Sequence, residues 1–220
     1  MKAVSLTTKE ARKQRESEQR RKCIIKVVRK LIKKGGVGEI SLRKVAELAG
    51  FSTTVVYALF DDKAMLITQA MDEDLIELTR VMRVASETQA TVLDRLRHVG
   101  RAYVHFGLTH PAEYAFVFMQ PRPHAPTDAA RVQHGDRLQD PYAFARALME
   151  AWAETGAVSA HPEDIDLMTQ IFWEGLHGLT ARHLVLGEGD AWIPELPIER
   201  HIDVLIEVLL TGLPAHFAPR

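Results

Sequence analysis

The stretch Ile40 to Leu66 reads ISLRKVAELAGFSTTVVYALFDDKAML, and it decides the fold of the first third of the chain. It predicts two short helices that pack at a steep angle around a tight turn. Ala46 is the small residue that such a close approach needs, and Gly50, four residues later, suits the turn. Apolar residues flank the turn at Val45, Phe51 and Val56. This pattern is typical of a helix-turn-helix, whose second helix enters the major groove of DNA.

The second helix of this unit would offer its first residues to the groove. Hydroxyl groups there can bond phosphates or base edges, and threonine or valine methyls can contact thymine methyls. The candidate reading residues are Ser52, Thr53, Thr54 and Val55.

Charge divides the chain at the end of this stretch. All ten lysines lie at or before Lys63, and all ten histidines lie at or after His98. Residues 1–63 carry 16 Lys and Arg against 7 Asp and Glu, a formal +9, whereas residues 64–220 carry 12 against 22, a formal −10. A cationic end suits a polyanion such as DNA. The alternative for the basic run before residue 17 is a solubilising tail.

Apolar residues recur at helical spacing along the whole chain, and no alternating strand pattern is present, so the sequence predicts an all-α fold. Prolines 111, 141, 162 and 197 stand where helices can begin. Residues 120–138 and 187–196, rich in proline, glycine or charge, are predicted loops. The predicted helices are 17–34, 42–49, 53–60, 63–85, 89–109, 111–119, 140–156, 162–186 and 197–213.

The stretch from residue 40 to residue 66 resembles the TetR family of transcriptional regulators. The family pattern of an alanine-glycine turn, a tyrosine, a phenylalanine three residues later and a lysine three after that is present here. The matching residues are Ser41, Val45, Ala46, Ala49, Gly50, Ser52, Tyr57, Phe60, Lys63 and Leu66.

The resemblance implies that Tyr57 and Lys63 bind backbone phosphates. Tyr57 packing inside the domain and Lys63 lying at a solvated helix start are the alternatives. Ala58 and Leu59 depart from the family, which often has basic residues or histidine there, and this removes one expected phosphate contact. The DNA-binding set is completed by Ser41 and Arg43, and a solvated helix face is the alternative for Arg43.

The polar, basic composition of residues 1–16 predicts a flexible arm whose end can be helical, followed by a three-helix DNA-binding domain at 17–63. The resemblance implies that residues 64–220 form a helical ligand-binding and dimerisation domain. A weaker likeness lies at Ile171 to Leu184, IFWEGLHGLTARHL. Its Trp173, Gly175, His177 and Gly178 look like the WHG subgroup of these C-terminal domains.

Aromatic and sulfur-containing side chains at helical spacing predict a binding pocket in the C-terminal region, because such sites are mostly apolar with a few polar groups. Plain core packing is the alternative for each residue. The candidates are Tyr103, Phe106, Tyr114, Phe118, Trp152, Met168, Phe172, Trp173 and His177.

The last two predicted helices would form a four-helix bundle with those of a second copy. Packing within the subunit's own core is the alternative. The predicted interface residues are Ile202, Leu205, Ile206 and Leu209.

No metal-binding spacing, nucleophile elbow, phosphate-binding loop or pair of catalytic carboxylates is found, so we expect no enzyme activity, metal or cofactor. The single cysteine and the lack of a signal peptide or membrane-spanning run predict a cytoplasmic protein. The expected function is a repressor that binds a palindromic operator in double-stranded DNA as a homodimer and is released by a small apolar or aromatic effector. The alternatives are a small-molecule binder or enzyme with an incidental helix-turn-helix, and a regulator that needs no ligand.

Overall fold

The computed structural model describes residues 8–120, 131–186, 193–194 and 196–219. Every regular element in those ranges is helical, which confirms the all-α prediction. The described residues form two compact units. The N-terminal unit runs to Asp72 and includes Arg131, and the C-terminal unit comprises Glu73–Gln120 and the described residues from Val132 onward. Of the predicted loop at 120–138, residues 131–138 are described and contain turns and no helix, whereas residues 121–130 lie outside the described residues. Most of the predicted loop at 187–196 also lies outside them.

The N-terminal unit contains three helices and the beginning of a fourth. They are α1 (Thr8–Gly35), α2 (Leu42–Ala49), α3 (Thr53–Leu59) and the first part of α4 (Lys63–Glu87), with a short 3-10 turn at Val37–Glu39. The C-terminal unit contains the rest of α4 together with five further helices. These are α5 (Val92–Thr109), α6 (Pro111–Phe118), α7 (Pro141–Ala153), α8 (Pro162–Leu186) and α9 (Ile198–His216).

α1 begins at Thr8, whereas the sequence predicted a helix start at Ser17 after a flexible arm. Residues 1–7 of that arm lie outside the described residues. From Thr8 onward the chain is rich in Lys, Glu, Ala, Arg and Gln, which all favour helix. Arg12 Nε also lies 2.9 Å from Glu16 Oε1, a pairing one helical turn apart. The helix extends here through intrinsic propensity, without the apolar stripe that predicted its later part.

The turn between α2 and α3 has the predicted construction. The Ser41 hydroxyl accepts a hydrogen bond from the backbone N–H of Lys44, which caps α2. Gly50 then adopts a left-handed conformation with φ of 72°, which a residue with a side chain would adopt only at a cost. The Ser52 hydroxyl accepts from the N–H of Val55 and caps α3. Val45, Val56 and Phe60 are fully buried and join the helices into one small core.

The core of the C-terminal unit lies between α5, α7, α8 and α9, with further buried residues from α4 and α6. α8 and α9 approach closely at Gly175, where an added Cβ would lie 2.8 Å from Leu209 Cδ1. The fully buried residues of this core include Leu78, Leu96, Val104, Tyr114, Met149, Met168 and Ile202. Within the described residues, none of the helices is both long and apolar enough to cross a membrane.

Candidate functional site

The beginning of α3 is exposed and rich in hydroxyl groups. Ser52, Thr53 and Thr54 are exposed, and Val55 is half-buried. The Ser52 oxygen accepts the capping hydrogen bond, but its hydrogen remains available to a phosphate. Val56, one residue further, is fully buried and fixes α3 on the core. The helix therefore holds short polar side chains on a rigid support, as base and phosphate recognition requires.

The predicted phosphate-binding residues also lie at the surface. The Tyr57 side chain is 55% exposed, so the structure does not support its alternative as a core residue. Lys63 is exposed at the first residue of α4, and Ser41 is exposed at the cap of α2.

Arg43 and Lys44 are neighbours in sequence but differ in their partners. Lys44 forms an ion pair with Glu39, which compensates its charge. Arg43 is exposed and has no ion-pair partner among the described residues. Arg43 is therefore the more available of the two cations for an external phosphate.

Arg21 is a structural residue of this unit that sequence reasoning missed. Its guanidinium lies 4.7 Å from the centre of the Phe60 ring, a cation–π contact. It also donates a hydrogen bond to Gln69, which lies on α4. Arg21 thus joins α1 to Phe60, which follows α3, and to α4.

In the C-terminal unit, four predicted ligand-binding residues are joined by consecutive hydrogen bonds. Trp173 Nε1 donates to the Tyr103 hydroxyl over 2.9 Å. The hydroxyls of Tyr103 and Tyr114 lie 2.9 Å apart. The Tyr114 hydroxyl lies 2.7 Å from His177 Nδ1. These bonds connect α5, α6 and α8 within one unit.

Phe118 packs against all four of these side chains. Its ring centre lies 5.0 Å from that of Tyr114 and 5.9 Å from that of Tyr103. It lies 6.2 Å from the ring centres of both Trp173 and His177. We call these five residues the aromatic cluster.

Burial sets the protonation of the aromatic cluster. It raises the pKa of Tyr114 to about 12 and raises that of Tyr103 further still. Burial lowers the pKa of His177 below its ordinary value. At neutral pH the two tyrosines are therefore protonated and the imidazole is neutral, so the cluster carries no charge.

Gly107 makes room for this cluster, and sequence reasoning missed it. A Cβ added there would overlap the Thr180 methyl and lie 2.9 Å from Tyr114 Cδ2. α5 can therefore approach α8 and the Tyr114 ring only because residue 107 has no side chain.

The other four candidate ligand residues lie apart from the cluster's hydrogen bonds. Phe106 is buried and stacks on His110, with ring centres 4.8 Å apart. Trp152, Met168 and Phe172 are buried in the hydrophobic core.

The predicted interface residues on α9 divide between two environments. Ile202 and Ile206 are buried in the subunit's own core, while Leu205 and Leu209 are half-buried against it. The exposed apolar residues of α9 are instead Val204 and Val208, at 52% and 61% exposure. More than half of the residues of α9 are apolar, so helical spacing alone did not show which face of the helix points outward.

The family model of the tetracyclin repressor-like C-terminal domain matches residues 96–209 of this chain. A TetR family transcription regulator from Marinobacter aquaeolei VT8 superposes with a TM-score of 0.63 at 17% identity, covering 91% of this chain and 97% of that one. A TetR-family transcriptional regulator from Streptomyces coelicolor gives a TM-score of 0.62 at 18% identity, over 90% of this chain and 83% of that one.

The fatty acid degradation regulator FadR from Bacillus halodurans has a TM-score of 0.60 at 16% identity, over 86% of this chain and 94% of that one. No curated protein matches the sequence of this chain. At these identities the solved structures establish a shared fold, and the family model establishes the kinship of the C-terminal unit.

Proposed function

The chain belongs to the TetR family of transcription regulators, and from this membership we propose that it is a repressor that binds a palindromic operator in double-stranded DNA and is released by a small aromatic effector. It would act in the cytoplasm and without enzyme activity, as the named regulators of the same fold imply. The observation that carries the DNA-binding part is the exposed, hydroxyl-rich beginning of α3 on a unit of strong positive charge.

DNA binding would use two kinds of contact. Ser52, Thr53, Thr54 and Val55 would meet the major groove, where base edges carry sequence information. The phosphate contacts, which position the protein without reading sequence, would come from Ser41, Arg43, Tyr57 and Lys63. Their exposure supports these roles.

Dimerisation would use the outer faces of α8 and α9. Val204 and Val208 on α9 and Leu167 and Val185 on α8 are exposed apolar side chains on neighbouring helices. Burying them against a second copy would form a four-helix bundle. Two reading helices related by a two-fold axis then match two half-sites of a palindrome.

Effector binding would take place at the aromatic cluster of the C-terminal unit. An effector that binds the DNA-free conformer more tightly shifts the population away from DNA. A coupling free energy of about 1–3 kcal/mol between effector binding and DNA binding is enough for the effector to release the operator.

A mobility shift with the DNA upstream of the chain's own gene tests the proposal. We expect specific retardation at moderate salt that weakens steeply as salt rises, since phosphate contacts release counterions. Aromatic compounds that raise the melting temperature of the protein should reverse the retardation. A lack of specific retardation would favour a small-molecule binder or an enzyme instead, and retardation that no stabilising compound reverses would favour a regulator without a ligand.

A further inference from the structure

The second half of α1 carries a concentrated positive charge. Residues 19–35 contain eight Lys and Arg and no Asp or Glu. On one side of the helix, exposed cations lie three, four or seven residues apart, which places them in a single strip along the axis. We call this strip the basic face of α1. Its residues are Arg15, Lys22, Lys26, Lys30 and Lys33.

The middle of the basic face is not neutralised by the chain's own acids. Lys22, Lys26 and Lys30 form no hydrogen bond or ion pair with any residue in the described ranges. Arginines of the C-terminal unit are paired by contrast, as Arg97 is with Glu207. Like charges one helical turn apart repel each other and lower the stability of a helix. A bound polyanion would relieve that repulsion.

The basic face points away from the helix that is predicted to read DNA. Ile24, Val28 and Leu31 lie on the opposite side of α1 and are buried. On that buried side α1 packs against α2 and α3. A duplex that contacts the exposed start of α3 is therefore separated from the basic face by the small core of the unit. DNA is stiff, with a persistence length of about 150 base pairs, so a short operator does not bend round the unit to reach both surfaces.

The composition of α1 distinguishes between classes of polyanion. A helix that lies on a membrane needs exposed apolar side chains beside its cations. None of the large exposed apolar residues in the described part of the chain belongs to α1. Single-stranded nucleic acids are held by aromatic side chains on which their bases stack, and α1 contains no aromatic residue. Double-stranded DNA fits best, because its outer surface can be bound through phosphates alone.

The dimensions of the basic face also suit a duplex. From Lys22 to Lys33 the helix rises by about 17 Å, at about 1.5 Å for each residue. Double-stranded DNA carries one negative charge for about every 1.7 Å of its axis, so a duplex lying along the helix offers several phosphates to the four lysines.

We propose that the basic face of α1 binds the phosphate backbone of a second DNA duplex, of any sequence, while α3 holds the operator. The protein thereby bridges two segments of DNA. The operator part of this inference rests on the proposed function, whereas the second duplex is bound without any reading of its bases.

A capture assay on the full chain tests the bridge. The shortest upstream fragment that the chain retards is fixed to beads and loaded with protein, and unbound protein is washed away. A short fluorescent duplex of random sequence is then added. We expect the beads to retain this duplex at low salt and to release it as the salt rises, because phosphate contacts release counterions. Loaded beads that retain no second duplex at low salt overturn the proposal.

A triple variant removes the charge of the basic face without shortening the helix. Lys22→Gln, Lys26→Gln and Lys30→Gln combined should lower retention of the second duplex by about ten-fold or more, with a salt slope smaller by about three, since each lost phosphate contact removes about one. The affinity for the operator should stay close to that of the native chain. Circular dichroism verifies that the variant keeps its helices.

The matched control removes the same charge from another side of α1. Lys9, Lys13 and Arg20 are exposed on the side that carries Glu16, and they are replaced together by glutamine. This control should retain the second duplex as the native chain does. An equal loss in both variants would mean that retention follows net charge, and this outcome overturns the proposal.

The remaining outcomes separate the bridge from the proposed function. An equal loss of operator affinity in the first variant would mean that the basic face contacts the operator itself, and tighter binding of phosphatidylserine vesicles than of the duplex would assign the face to a membrane; either result overturns the bridge. If the chain retards no upstream fragment, the proposed function fails. Titration of the random duplex with the native chain and the two variants then tests the basic face alone, and equal affinities overturn it.

Discussion

Tyr57 is exposed in the structure, and only its hydroxyl distinguishes it from a phenylalanine in that position. We expect Tyr57→Phe to weaken binding by about 1 kcal/mol on every DNA sequence, because a phosphate contact carries no base information. Thr54→Val, which exchanges a hydroxyl for a methyl at the start of α3, should instead change the base preference at one position of each half-site.

Fluorescence anisotropy on specific and scrambled DNA at fixed salt measures both effects. Tyr142→Phe in the C-terminal unit serves as the control and should bind as the native chain does. Unchanged affinities for both N-terminal variants would place the DNA-reading surface elsewhere.

His177 predicts a dependence of stability on pH. Burial lowers its pKa in the folded chain below the ordinary 6.5, so the unfolded chain binds more protons in this range. The contribution of His177 is therefore complete above about pH 6.5 and is lost as the pH falls through the folded pKa. Tyr103 and Tyr114 stay protonated throughout, because burial raises the pKa of both.

The melting temperature of the native chain should consequently fall more steeply between pH 7 and pH 5 than that of His177→Gln. The two proteins differ only at residue 177, so the contributions of all other residues cancel in the comparison. Parallel pH profiles would show that His177 is not held neutral by the fold.

The residue types alone predicted which side chains are able to form hydrogen bonds. They did not predict which of these side chains are hydrogen-bonded to each other. Tyr103, Tyr114 and His177 were singled out as polar groups among aromatics, and the structure joins them. Met168 and Phe172 have the same helical spacing and are as deeply buried as the two tyrosines, but they pack elsewhere in the core. Periodicity assigns a residue to a face of a helix, and which neighbour covers that face depends on tertiary packing.

Gly107 sets the approach of α5 to α8 and to Tyr114. Gly107→Ala would force its new methyl against Thr180 and Tyr114, and overpacking of this kind costs about 1–3 kcal/mol. Gly212→Ala, within α9, meets no atom within 4 Å and should gain up to about 1 kcal/mol from the better helix propensity of alanine. Urea unfolding measures the free energy of unfolding of the two variants. A similar change in both would mean that α5 can move to accept the new methyl group without loss of stability.

The helix boundaries show where sequence signals are strong. The starts of α6, α7 and α8 at Pro111, Pro141 and Pro162 were predicted closely, because proline at a first helical position is a local signal. The regular part of α1 was predicted from Ser17, with helix allowed only near the end of the preceding arm, whereas α1 begins at Thr8. Its first turns have no apolar stripe, and their helicity comes from propensity and a surface ion pair.

At the scale of the whole molecule, the sequence predicted two functions on two units from charge and motif spacing. The charge divides at Lys63, but the compact units divide at Asp72, within the continuous helix α4. The motif ends at its last predicted DNA-contact residue. The compact unit ends where the residues of α4 stop packing on the N-terminal helices and begin to pack on the C-terminal ones. The proposed assembly of two copies would depend on surfaces that only the folded chain defines.

The outer face of α9 gives the prediction for assembly. Val204 and Val208 are exposed, while Leu205 and Leu209 pack on the subunit's own core. The space beside Gly175 is filled by Leu209 of the same chain. Gly178, also on α8, has no atom within 4 Å of an added Cβ, which suits the close approach of a second copy. Val204→Glu combined with Val208→Glu should therefore yield folded monomers, because burying unpaired carboxylates in an interface is strongly unfavourable.

Val84→Glu, on the exposed side of α4, adds a carboxylate outside this face and should leave the dimer intact. Light scattering gives the mass of each variant, and circular dichroism verifies that its helices remain. The monomer should also lose most of its operator affinity, because one reading helix contacts one half-site only. A folded double variant that stays dimeric would exclude this face of α9 as the interface, and a monomer that binds the operator as tightly as the native chain would refute the paired half-sites.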